Sequence, residues 1–521
     1  MAGYAGSKKD IVTLNGNEYV VNEHTVETNA SEFAAQLNLS PPEYDKRDSP
    51  TSTITFDSWT GGLGVKWANT REHQGRFWMG NADTRFPKQL TLGPLVQTLG
   101  AEQATGNTIA TTARGVMATY RSKDYFGLED KVWKNTAGTL SEVLDFGAAS
   151  ISGLVEYTTT QPSNNLYAIA FSNRFYQVAT EPVATTSWTQ ADAGVIGRAA
   201  FEYDRNLIML DGSVNAGQIS SGLTTLVNAA NWTELTDFNT VDTSVIAGIV
   251  FKNQDGALTP FFALADTTGG EYSGLWLLDY YSRKAYPVPM NRNPARGAGL
   301  HEPFFGMTVW NGSLWIPDGS SLIKYENDGS FTDLSTDNGL GQGLPTGYGR
   351  YGILKASQSF LYMTMGSGTT HALAAQSQVG LHFLVTDTVP MRGLHISSLQ
   401  SPARVYWISA ADAGTAATIK YIELPINGDN PVNDTAYDYA ATGYLITPWM
   451  DGGFAELNKT LLSMYCDADD LTATETVVVD YQTDGSGTDG TWSTSLGTFN
   501  STTKTLNWGT SNVGLSARTF R

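Results

Sequence analysis

The sequence predicts an all-β protein built around a β-propeller of about seven blades. Three observations carry this. The stretch Trp310–Phe331 reads as consecutive short strands, with Asn311-Gly312, Asp318-Gly319 and Asn327-Asp328-Gly329 at the turns. Such dipeptides supply the positive φ angles that tight hairpins need. Similar apolar strands, each after a turn residue, recur near positions 118, 166, 207, 262, 314, 361 and 406, in steps of about 41 to 55 residues, and periods of about 40 to 50 residues mark propeller blades. No helical pattern separates these units, and a lone meander must stack on its like to bury both faces. A row of β-sandwiches with accidental spacing is the alternative.

The chain has 521 residues, enough for two to four ordinary domains or for one large repeat domain with attachments. Residues 1–53 are expected to form an N-terminal arm. Asp10–Val21 is a hairpin candidate with Asn15-Gly16 at its turn, and Ser31–Leu39 a short helix stopped by Pro41-Pro42. An arm of this size must pack on a neighbour, its own body or another subunit. Residues 54–430 form the expected propeller. Their opening part, Ile54–Pro94, is rich in aromatics and supplies either the first strands or the strand that closes the ring.

Within the units, Asn165–Phe171, Asn206–Asp211, Thr259–Ala265, Ser313–Ile316, Phe360–Met363 and Arg404–Ile408 are expected second strands, with a weaker one at Gly115–Tyr120. Asn173–Val178, Ser273–Asp279 and Ser321–Tyr325 are expected third strands. Trp188 and Trp232 fall late in their units, where outer strands lie. The polar, proline-bearing run Ile426–Asp434 marks a boundary. Residues 431–521 then read as an antiparallel sandwich with strands in Gly443–Trp449, Lys459–Tyr465, Glu475–Tyr481, Trp492–Phe499 and Thr505–Trp508. The sequence stops at Ala517–Arg521, inside an expected strand, so a neighbouring chain completes the sandwich or the sequence is shortened.

A formal charge of −19 is the wrong sign for holding a phosphate backbone, so nucleic acid is not expected as a partner. No window carries the 18 apolar residues of a membrane span, and the first residues lack the apolar run of a secretory signal. The single Cys466 has no intrachain disulfide partner and reads as a small buried hydrophobe. No zinc-ligand spacing joins the six histidines. His382 and His395 flank the turn Pro390–Gly393 and can approach each other, but solvated or core-satisfied histidines are the better reading. Asp467, Asp469, Asp470, Asp484 and Asp489 lack the alternating calcium loop. No cofactor is expected.

One local grouping stands out for binding: Tyr281, Arg283, Arg292 and Arg296, with Asp279, Tyr280 and Tyr286 beside them. An arginine cluster near tyrosine and a carboxylate is what a sialidase-like propeller uses on an acidic sugar. The Ser-x-Asp-x-Gly-x-x-Trp repeats of such blades are absent, and an exposed basic loop between blades is the plainer alternative.

The runs Gly443–Phe454, Asn458–Met464, Glu475–Tyr481 and Trp492–Gly497 resemble a module that follows propellers in virion tail proteins of tailed bacteriophages. Phe56–Gly64, with Arg85 and Leu92–Pro94 after it, is similar to the opening segment of such proteins. The resemblance spans roughly residues 54–521 and rests on structural motifs. It implies a virion component of the tail or tail tip, made in the host cytoplasm, in several copies beside other tail subunits and facing the host surface. It implies no catalytic residue. A carbohydrate-binding propeller and a glycan-cleaving enzyme remain the alternatives.

Overall fold

The computed structural model describes residues 11–14, 17–20, 54–64 and 76–520, apart from 221–231, 237–242, 267–273, 290–303, 335–348, 451–458, 484–491, 508–515 and a few shorter stretches. Two compact units result, Met1–Phe56 and Asp57–Arg521. In the first, Ile11–Leu14 pairs antiparallel with Asn17–Val20, in the register a two-residue turn imposes. The expected helix at Ser31–Leu39 and the turn Asn15-Gly16 lie outside the described residues.

The second unit is a β-propeller. Six four-stranded antiparallel meanders follow one another. Their first strands are Val116–Tyr120, Ile151–Thr160, Gly197–Tyr203, Thr243–Lys252, Thr308–Trp310 and Arg350–Ala356, and they define blades 1 to 6. The seventh sheet is composite. His395–Ser397, Arg404–Ser409 and Ala416–Glu423 supply three strands, and Gln97–Thr98 and Gln103–Ala104, from before blade 1, complete its outer edge. The ring therefore runs from Gln97 to Glu423.

Six of the seven expected second strands are second strands: Ser163–Ala170, Asn206–Asp211, Leu258–Asp266, Ser313–Asp318, Leu361–Gly366 and Arg404–Ser409. In blade 1 the expectation falls one strand early. Val116–Tyr120 is innermost, and the second strand is Lys123–Leu128, beyond a turn in which Arg121 and Ser122 both take positive φ without any glycine to announce it. In blade 5, Asn311 (φ 49°) and Gly312 (φ 79°) make the turn read from the sequence.

Sheets bury their faces against the next blade. Tyr120, Tyr125 and Val143 of blade 1 meet Leu166, Ala168 and Tyr176 of blade 2. Ile208 and Leu210 of blade 3 meet Phe262, Leu264 and Leu278 of blade 4. At the closure, Phe126 and Trp133 of blade 1 meet Tyr406, Ile408 and Ile419 of blade 7. Burying each Leu, Ile, Val or Phe side chain among these contributes about 1.5–3 kcal/mol.

The segment before the ring docks outside blade 6. Leu63 is buried, and Gly62 (φ 74°) lies so close to blade 6 that a Cβ would sit 2.5 Å from the Leu381 nitrogen. Asp83 and Arg85 form a buried two-pronged pair, Arg85 Nη1 donates to Tyr362 Oη at 2.8 Å, and its guanidinium lies 4.5 Å from the Phe360 ring. The chain leaving the ring returns to this segment: Leu445–Ile446 pairs with Met79–Gly80, and Leu95 N donates to Asp438 O. Gly443–Trp449, expected as a sandwich strand, thus belongs to the lead-in. Leu445 and Ile446 are half-buried in that pairing, and Trp449 is buried.

Beyond it come three nested antiparallel pairs: Lys459–Thr460 with Ser516–Ala517, Ser463–Tyr465 with Thr505–Asn507, and Val477–Tyr481 with Ser493–Phe499. Leu506 packs over Gly497, placing one pair upon another. The final stretch pairs within the chain, Phe520 bridging Met450 and Thr483.

Candidate functional site

In a four-stranded meander, the first and third turns fall on one rim and the second turn on the other. On the first rim, blades 3 and 4 build an open cleft of 470 Å³. It is lined by Glu202, Tyr203 and Asp204 from blade 3 and Val250, Leu258 and Tyr281 from blade 4. Blade 3 contributes through the turn between Gly197–Tyr203 and Asn206–Asp211, where Asp204 takes φ 47°. Blade 4 contributes through the ends of Thr243–Lys252 and Leu258–Asp266, and through the turn joining Gly274–Asp279 to Lys284–Pro287.

That last turn is fixed by one side chain. The Asp279 carboxylate accepts hydrogen bonds from the Tyr281 and Ser282 amides at 3.1 and 3.3 Å and from Ser282 Oγ at 2.7 Å. The Ser282 bonds hold its pKa below the usual carboxylate range. The turn ends at Arg283, φ 54°, and throws Tyr281 outward, 84% exposed.

Tyr280 stands between the two tyrosines of the cleft wall. Its ring is edge-on to Tyr203 at 5.2 Å and to Tyr281 at 5.6 Å, the arrangement ring quadrupoles favour. Asn206 Nδ2 donates to Tyr280 Oη at 2.9 Å, and Tyr203 Oη donates to Leu258 O at 3.0 Å, so hydrogen bonds cross the blade boundary twice. Burial, then neighbouring Tyr281 and Asp204, push the Tyr203 phenol up; burial and Asp204 do the same to Tyr280, against Arg283. Both phenols therefore stay neutral at physiological pH.

Of the residues singled out from the sequence, Tyr281 lines the cleft and Arg283 closes the turn behind it. Arg292 and Arg296 lie outside the described residues. Glu202, Tyr203 and Asp204 gave no sequence signal, because they belong to the preceding blade. Their one local mark is the Tyr203–Asn206 turn before an apolar strand.

The second polar constellation lies between the innermost strands of blades 7 and 1. Thr119 Oγ1 donates to Asp124 Oδ1 at 2.8 Å and lies 2.9 Å from His395 Nε2, while Ser397 Oγ donates to Asp124 Oδ2 at 3.0 Å. Ser, His and Asp are together, yet the wiring is wrong for a nucleophile. Both hydroxyl protons go to the carboxylate, so His395 Nε2 must donate to Thr119 and has no lone pair to act as base. This is a lock between blades.

His382 is elsewhere. It is fully buried, 2.9 Å from Thr84 Oγ1 and 3.1 Å from Ser377 Oγ, and burial pushes its pKa down to about 3. The reading of a core-satisfied histidine holds for His382, which alternation along Leu381–Asp387 turns toward the lead-in segment, while His395 has Thr119 as its partner. Among the described residues, no three His, Cys, Asp or Glu side chains are grouped to hold a metal ion, and no helix is long and apolar enough to cross a membrane.

No family description and no curated protein matches this sequence. Solved structures resemble it at low identity. BBS1N, solved in complex with ARL6DN, is 11% identical, with 65% of this chain and 97% of that chain covered and a TM-score of 0.39. The extracellular domain of BT4673 from B. thetaiotaomicron is 11% identical, with 86% and 61% covered and a TM-score of 0.44. The WD40 domain of Toxoplasma gondii coronin is 9% identical, with 65% and 88% covered and a TM-score of 0.37. These likenesses carry nothing about function.

Proposed function

We propose that this chain is a structural component of a phage tail or tail tip that assembles with other tail subunits and holds the host surface through the rim cleft, without cleaving what it binds. The observation that carries the proposal is Tyr281, held out from a turn wired by Asp279 and braced by Tyr280 at an open cleft. An aromatic face that is rigid before contact loses little conformational entropy on binding. The sequence resemblance to phage tail proteins supplies the setting. A surface polymer of the bacterial envelope, a glycan foremost, is the partner class.

The test uses the full chain. Light scattering, with and without residues 1–50, is expected to give a multimer that loses subunits when the arm is removed. Incubation with a panel of bacterial envelopes is expected to deplete the protein from solution, Tyr281→Ala to abolish this, and polymer length to stay unchanged. Release of new reducing ends would replace the proposal by the glycan-cleaving alternative. A monomer that binds no envelope would overturn it.

A further inference from the structure

We infer that the rim cleft between blades 3 and 4 recognises a positively charged ammonium group, such as a choline or amino-sugar substituent on a surface polymer. This rests on the attachment proposed above and names its chemistry.

The wall residues explain the choice. Tyr203 and Tyr281 line the cleft, and Tyr280 stands nearly perpendicular to both, with interplanar angles of 70° and 83°. Tyrosine faces carry negative quadrupole density and attract cations, most effectively weakly hydrated ones such as quaternary ammonium. Two carboxylate residues, Glu202 and Asp204, share the lining, and among the described residues neither is in an ion pair. Val250 and Leu258 provide apolar wall for methyl groups.

Among the described residues, no cation lines the cleft. Arg283 ends the turn after Tyr281 and acts on the Tyr280 phenol from outside the cleft lining, and Lys284, first residue of the next strand, faces the Asp279 carboxylate. A neutral sugar would gain from stacking on Tyr281 but nothing, beyond hydrogen bonds, from two carboxylates that have no ion-pair partner among the described residues. An anionic sugar would be repelled. The net charge of −19 adds long-range attraction of the same sign.

The experiment titrates the full chain with choline and with its uncharged isostere 3,3-dimethylbutan-1-ol, following tyrosine signals by NMR. Choline is expected to bind about two- to fivefold more tightly than the isostere, the gain an exposed cation–π contact gives. Tyr281→Phe should keep binding, Tyr281→Leu should lose it, and Asp204→Asn should weaken choline while leaving the isostere unchanged. Unchanged melting temperatures would show that these exposed substitutions leave the fold intact. Equal affinity for the isostere, or no choline binding, overturns the inference. Envelope attachment that needs Tyr281 yet is not competed by choline would leave the attachment proposal standing and this inference refuted. Loss of neither attachment nor choline binding in Tyr281→Leu would refute both.

Discussion

The boundary between blades 7 and 1 and that between blades 3 and 4 solve the same packing problem by different means. Blades 3 and 4 follow each other in sequence, and their contact is apolar beneath the rim: Ile208 and Leu210 on Phe262 and Leu264, with Phe201 6.0 Å from Phe262. Blades 7 and 1 join the two ends of the ring. There, beside an apolar core, Arg392 donates to the carbonyls of Ala410, Ala110 and Ala113 and pairs with Asp412, and Thr119, Asp124, His395 and Ser397 interlock. Apolar contact is non-directional and suffices where the chain already sets the register. Where it does not, directional bonds select one register and penalise others.

Breaking the closure is expected to have the largest effect. Arg392→Met leaves the buried Ala410 carbonyl and the part-buried carbonyls of Ala110 and Ala113 without their donor and is expected to cost about 3 kcal/mol, read from urea melts. A loss below about 1 kcal/mol would mean that the apolar core alone closes the ring. Next comes overpacking of the boundary between blades 3 and 4. A Cβ on Gly248 would sit 2.5 Å from Phe201 Cε1, so Gly248→Ala is expected to cost about 1–3 kcal/mol.

Acid sharpens the contrast between polar and apolar junctions. His382, at the polar dock between the lead-in segment and blade 6, has its folded pKa lowered to about 3 from 6.5. Below pH 6.5 the unfolded chain takes up a proton that the folded chain refuses, so its stabilising contribution is present above that pH. It is lost on acidification at about 1.4 kcal/mol per pH unit until pH 3. His382→Gln should flatten the slope of stability against pH between 6 and 4, and an unchanged slope would clear this histidine. The smallest stability effect is expected at the rim, where Tyr281→Ala should alter stability by less than about 0.5 kcal/mol while abolishing envelope binding.

What the sequence reveals follows the same division. Six second strands were legible because a turn residue and an apolar run lie side by side in the chain. The blade 7 completion was not, since Tyr421 Oη meets Gln97 Oε1 across 324 residues. Of the six residues that line the cleft only Tyr281 was singled out from the sequence, for a similar reason. Tyr280 and Tyr281 share a turn with Arg283, whereas Asn206, which anchors Tyr280, is 74 residues away. Around Gly62 and Arg85 the structure shows close backbone approach and a buried ion pair against blade 6.

The composite seventh blade also dictates a timetable. Gln97 and Thr98 leave the ribosome hundreds of residues before Lys420 and Tyr421, their partners. Until then the nascent chain holds an open arc with an unfinished edge at each end, and such edges invite pairing with other chains. Closing so long a loop adds only slowly to the entropic cost, roughly with the logarithm of its length. The hazard is therefore one of waiting time, and the moment of greatest exposure to wrong partners falls just before the last strands of the ring emerge.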